Sequence, residues 1–82
     1  MLKVIAEREH YLLVSDGQHL TVVERRAGKY YPLRNGIRHG FDLNDDSVGE
    51  LLRRSILYSE RDARSLLAHV ASQWRDLLEH VR

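Results

Sequence analysis

The chain has no cysteine, one proline, one phenylalanine, one tryptophan and one methionine among its 82 residues. Without cysteine there is no disulfide framework, no thiolate nucleophile and no Cys-based zinc or iron–sulfur site. Stability therefore rests on packing, alone or shared with a partner subunit. Long apolar runs are also missing. The N-terminus reads MLKVIAEREH and meets charge again after three apolar residues, too few for a signal-peptide core. The longest clean apolar run, Tyr11 to Val14, falls far short of a bilayer span. The expectation is a cytoplasmic protein with no membrane segment.

Charge of either sign is in short surplus: 13 Lys and Arg stand against 12 Asp and Glu, for a net +1. A mass of 9.6 kDa implies a folded surface of roughly 5,000 Å² against about 14,000 Å² for the extended chain. That is enough burial for one modest core and leaves no residues for a second domain. Dinucleotide-binding and barrel architectures are too long for this chain.

What is present changes character near Asn44. Before it, short β-branched and aromatic runs are punctuated by Asp16-Gly17, Ala27-Gly28 and Asn35-Gly36, the dipeptides of tight hairpins. After it come one glycine, no proline and apolar residues at three and four spacing. Strands first and helices second argue for one α+β domain over residues 1–82. An antiparallel meander of three to five strands (1–43) precedes a helical part (44–82), with a short and a long helix packed on one face of the sheet.

A two-residue Asp16-Gly17 turn sets Leu13 opposite Leu20 and Tyr11 opposite Val22 on the core face, leaving Leu12, Val14 and Val23 on the other. Ala27-Gly28 then places Tyr31 beside Glu24 and Arg25 beside Tyr30. Pro32 cannot donate to a ladder, so its strand belongs at an edge or a bulge. Two features resist this scheme. Glu7-Arg8-Glu9 has no turn chemistry, which leaves residues 2–14 readable as one long bent strand. A strand following Asn35-Gly36 would set Arg38 opposite core-facing Leu33 and turn Ile37 and Phe41 to the far side.

Ser47-x-x-Glu50 reads as a capping box opening a helix of about three turns, and Ser59-x-x-Asp62 as a weaker one. Beyond it Ala63, Leu66, Leu67, Val70, Trp74, Leu77, Leu78 and Val81 keep a single apolar stripe. With neither Gly nor Pro at Tyr58 or Ser59, one helix over 47–82 is the competing reading. The stripe is longer than a typical strand and should overhang the sheet. The far sheet face, with Leu12, Val14, Val23 and Tyr30, is half apolar as well. Both features point to self-association or docking.

Residues 24–40 hold five cations against one anion, and 42–50 hold four anions and no cation. Arg25, Arg26, Lys29, Tyr30, Arg34, Arg38 and His39 interleave positive charge with an aromatic, as phosphate contact and base stacking require. The structural reading is that hairpin ends are wet and arginine stems cover apolar neighbours. The acidic run Asp42, Asp45, Asp46, Glu50 lacks the glycine and alternation of a calcium loop, and negative charge suits a helix start. The histidines are too dispersed to chelate a metal. No nucleophile elbow or phosphate loop is present, so neither a catalytic site nor a cofactor is expected.

Two functions remain as expectations. The first is a non-catalytic regulatory or adaptor domain, a homodimer or partner-binding module, anchored by Trp74, Leu77, Leu78 and Val81 and steered by Asp45 and Asp46. The second is a nucleic-acid-binding module built on Arg25, Arg26, Lys29, Tyr30, Arg34 and Arg38.

Overall fold

A computed structural model describes the backbone of residues 1–80 and the side chains of residues 1–73. The fold is α+β: β1 (Lys3–Arg8), β2 (Tyr11–Ser15), β3 (Leu20–Arg26), β4 (Lys29–Pro32), α1 (Val48–Arg53) and α2 (Glu60–His80). The strands form one antiparallel meander in the order β1-β2-β3-β4. Pro32 ends the edge strand β4, where its missing N–H costs no ladder bond.

Residues 2–14 are two strands, not one. Arg8 pairs with Tyr11 across a two-residue turn in which Glu9 takes φ 55°, a conformation its side chain does not advertise. β1 also carries a bulge at Ile5, between Val4 and Ala6. Such an irregularity, with Lys3, Glu7 and Arg8 around it, blunts an open sheet edge against pairing with another chain.

The β2–β3 connection differs from the two-residue turn at Asp16-Gly17. Ser15 pairs with Leu20, so residues 16–19 form the loop. Asp16 Oδ1 accepts the N–H groups of Gln18 and His19, both at 2.8 Å, and Ser15 Oγ accepts that of Gly17 at 2.9 Å. These side chains mimic a longer turn. The register moves by two residues, which preserves face parity, so Tyr11, Leu13, Leu20 and Val22 still share a face.

The Ala27-Gly28 turn is as expected, with Arg25 opposite Tyr30 and Glu24 opposite Tyr31. Both turn residues have positive φ, 50° and 79°, as the hairpin turn that matches strand twist demands.

The largest departure concerns the helices: they lie on opposite faces of the sheet. On the first face Leu13 and Val22 pack with Ala63 and Leu67 of α2, joined by Ala6, Tyr11, Leu20, Leu33, Tyr58 and Leu66. On the second, Leu12, Val14 and Val23 pack with Leu51 of α1, joined by Leu2, Tyr30, Phe41 and Leu43. The half-apolar far face is thus covered by the chain itself and needs no partner. Burial on both sides explains why β2 is a nearly continuous apolar run.

The same second core resolves the puzzle at Asn35-Gly36. No fifth strand forms, but the single bridge Tyr30–Phe41 keeps the register that this turn dictates. Phe41 does turn to the far side, and there it finds the second core. Gly36 has φ 88° while Asn35 does not enter the left-handed region, so the turn lacks the twist that would propagate a ladder. Pro32, opposite His39 in this register, has no N–H to donate.

The single-helix reading of 47–82 gives way to two helices. Ser55 Oγ donates to the Leu51 carbonyl at 2.6 Å, the Tyr58 N–H donates to the Leu20 carbonyl at 2.9 Å, and the buried Thr21 hydroxyl donates to the Ile56 carbonyl at 2.9 Å. Beyond Pro32 the edge of β3 is open, and the connector between the helices occupies it. Tertiary bonding overrides local helix propensity there. Ser59 caps α2 as expected, its Oγ accepting the Asp62 N–H at 3.2 Å.

The capping box of α1 sits one turn before Ser47-x-x-Glu50. Asn44 Oδ1 accepts the Ser47 N–H at 2.9 Å and Ser47 Oγ accepts the Asn44 N–H at 3.3 Å, the reciprocal pattern of such a box. Ser47 makes no side-chain cap bond to α1, which is six residues long. Glu50 pairs instead with Arg53 and Arg54.

Candidate functional site

The basic stretch is largely neutralised by local carboxylates. Arg25 Nη1 stands 3.1 Å from Glu7 Oε1, Arg26 Nε 2.6 Å from Glu24 Oε1, and Lys29 Nζ 2.5 Å from Asp42 Oδ1. Arg26 also lies 4.0 Å above the Tyr31 ring, a cation–π contact. Burial, and then the Glu24 carboxylate beside it, raise the Tyr11 pKa above the usual phenol range. Arg34 Nη1 donates to the Arg54 carbonyl at 3.4 Å, reaching the C-terminal end of α1.

Tyr30 is not a free stacking surface. It is half-buried in the second core and its backbone pairs with Phe41. Arg25, Tyr30 and Arg34 lie on the side that α1 covers. Exposed ion pairs are each worth only about 0–1 kcal/mol, but a phosphate strand approaching Arg25, Arg26 or Lys29 would have to displace a carboxylate.

The acidic segment is employed the same way. Asp42 holds Lys29, and Asp45 Oδ1 accepts the Leu2 N–H at 2.6 Å, fastening the N-terminus. Asp46 is exposed and has no partner among the described residues. Asp16, in the β2–β3 loop, has its pKa lowered to about 2, first by the His19 backbone N–H and then by that of Gln18.

The anchors Trp74, Leu77 and Leu78 have side chains outside the described residues, and Val81 lies wholly outside them. The helix that carries the first three is described. Its 21 residues span about 31 Å, whereas the seven residues of β3 span about 23 Å. Because Tyr58 is bonded to Leu20 at the start of β3, α2 begins level with one end of the sheet. The radius of gyration, 12.5 Å, exceeds the roughly 11.7 Å expected of a compact chain this long, and the longest axis is 40 Å.

Among the described residues, two cavities lie within the basic region. One, of about 460 Å³, is bounded by His10, Glu24, Arg25 and Arg26 at the hairpin ends. The other, of about 380 Å³, lies between loop 33–40 and α1, lined by Ile37, Arg38, His39 and Phe41 from the loop side and by Glu50 and Arg54 from the helix side. Of the second cavity's residues the sequence reading singled out Arg38 and His39 in the basic stretch and Glu50 in the acidic run. It had no means to bring Arg54 to them, because that proximity comes from α1 folding over the second face. No cluster of three His, Asp or Glu side chains suited to a metal ion occurs among the described residues, and no helix among them is long and apolar enough to cross a membrane. No family model, curated protein or solved structure matches the chain.

Proposed function

We propose that the protein is a non-catalytic interaction domain that pairs with a second copy of itself through the distal turns of α2. The observation that carries this reading is the mismatch between a helix of about 31 Å and a sheet whose longest strand spans about 23 Å. The stripe that packs as Ala63 and Leu67 on the first face continues in sequence as Trp74, Leu77, Leu78 and Val81. Apolar residues carried past their own sheet are stabilised by meeting another such surface. Trp is the residue type most enriched at interface centres. Asp46, exposed and without a partner among the described residues, supplies steering charge near the start of α1, while Asp45 is given over to holding Leu2.

The test uses the lone tryptophan as a reporter. Its emission is expected to shift to longer wavelength on dilution of the native protein, as a shared interface opens to water, and to start at that longer wavelength in Leu78→Glu. An emission maximum that ignores both dilution and Leu78→Glu overturns the proposal.

A further inference from the structure

We infer that the cleft between loop 33–40 and α1 binds a small phosphate monoester, of about the size of a nucleoside monophosphate, through Arg38 and Arg54. The cleft measures about 380 Å³, within the roughly 300–1,000 Å³ of small-molecule sites. Its charge is unbalanced. Glu50 is shared by Arg53 at 3.2 Å and Arg54 at 3.0 Å, and Arg38 has no hydrogen-bond or ion-pair partner among the described residues. Two guanidiniums, Arg38 and Arg54, therefore line the cleft with one carboxylate, which Arg53 also draws on from outside it, in contrast to Arg25, Arg26 and Lys29, each of which has its own acid. Guanidinium forks match phosphate oxygens bidentately. Ile37 and Phe41, both half-buried, line the same cleft and offer apolar surface to the body of the ester.

The loop that presents Arg38 is held in place. Gly40 has no room for a side chain, since a β-carbon there would overlap that of Lys29 and stand 2.9 Å from the Tyr31 ring. Tyr30 and Phe41 exchange two backbone hydrogen bonds, of 3.0 and 2.9 Å, and Lys29 pairs with Asp42 beyond them. A compact loop with closed ends pinned on a rigid sheet is a common way to position a binding residue. His39 belongs to the same lining.

Amide-resolved NMR titration of the full chain with adenosine monophosphate, adenosine and inorganic phosphate tests the inference. Shifts are expected at the amides of residues 36–41 and of Arg54. They should be strongest with the monophosphate, weaker with inorganic phosphate and weakest with the uncharged nucleoside. Arg38→Gln and Arg54→Gln should each weaken binding about tenfold, the scale of one charge-assisted hydrogen bond. Arg25→Gln, outside the cleft, should leave affinity unchanged. The inference fails if the shifts match those from sodium chloride at equal ionic strength, or if Arg25→Gln weakens binding as much as Arg38→Gln. It also fails if a single-stranded oligonucleotide binds far more tightly than the monophosphate across an area wider than the cleft.

Discussion

Ala27 holds φ 50°, a left-handed conformation that costs a residue with a β-carbon roughly 1–2 kcal/mol, because the turn between β3 and β4 needs positive φ at both central residues. Ala27→Asn keeps that geometry with a residue that tolerates it, and urea denaturation should show about 1 kcal/mol of added stability. Gly40→Ala should do the reverse. With Lys29 and Tyr31 against it, the new methyl forces a local shift, and the same measurement should show a loss of about 1–3 kcal/mol. Asp16, with a folded pKa of about 2 against a usual 3.8, contributes stability that is present above the unfolded value and lost as pH falls through the folded one. Between about pH 4 and pH 2, acid unfolding curves should show native protein losing more stability than Asp16→Asn. Turn dipeptides were visible in the sequence, but their conformations were not: Asn35-Gly36 propagates no ladder, whereas Ala27-Gly28 takes the hairpin geometry. Glu9 turns the chain with no sequence signal at all, because pairing of the flanking strands, not its own preference, holds it there.

Among elements, the sheet and both helices were legible from alternation and three-four spacing, and the edge position of β4 from Pro32. Face assignment was not. Leu12, Val14 and Val23 read as a second, half-apolar face in search of a partner. Nothing local reveals that the chain crosses the open edge of β3 between α1 and α2 and covers that face itself. If both faces are core, truncations on either side should be comparably costly. Leu51→Ala beneath α1 and Leu67→Ala beneath α2, at 0% and 2% exposure, should each lose about 2–5 kcal/mol by chemical denaturation. A Leu51→Ala cost below about 1 kcal/mol would mean that α1 is merely draped over the sheet. Ser59→Ala should cost about 0.5–2 kcal/mol as the cap of α2. Asn44→Ala should act similarly on the turn leading into α1, where the Ser47-Glu50 spacing had pointed one turn too late.

Across the whole molecule, charge and length have different fates. Charges that look like interaction surfaces in sequence are mostly spent within the chain: Lys29 on Asp42, Arg25 on Glu7, Arg26 on Glu24. That leaves the unbalanced cleft around Arg38 as the local remnant of the basic stretch. The length of α2, by contrast, has no counterpart within the sheet. A stripe that begins in the first core as Ala63 and Leu67 continues in sequence as Trp74, Leu77, Leu78 and Val81, and the length of the helix that carries it was legible from residue count and rise per residue. Sedimentation equilibrium of the native chain and of Leu78→Glu tests this most directly. The account predicts a mass rising with concentration from 9.6 kDa toward twice that value for the native chain, and a constant 9.6 kDa for a folded Leu78→Glu. A native chain that stays at 9.6 kDa at every concentration would contradict it.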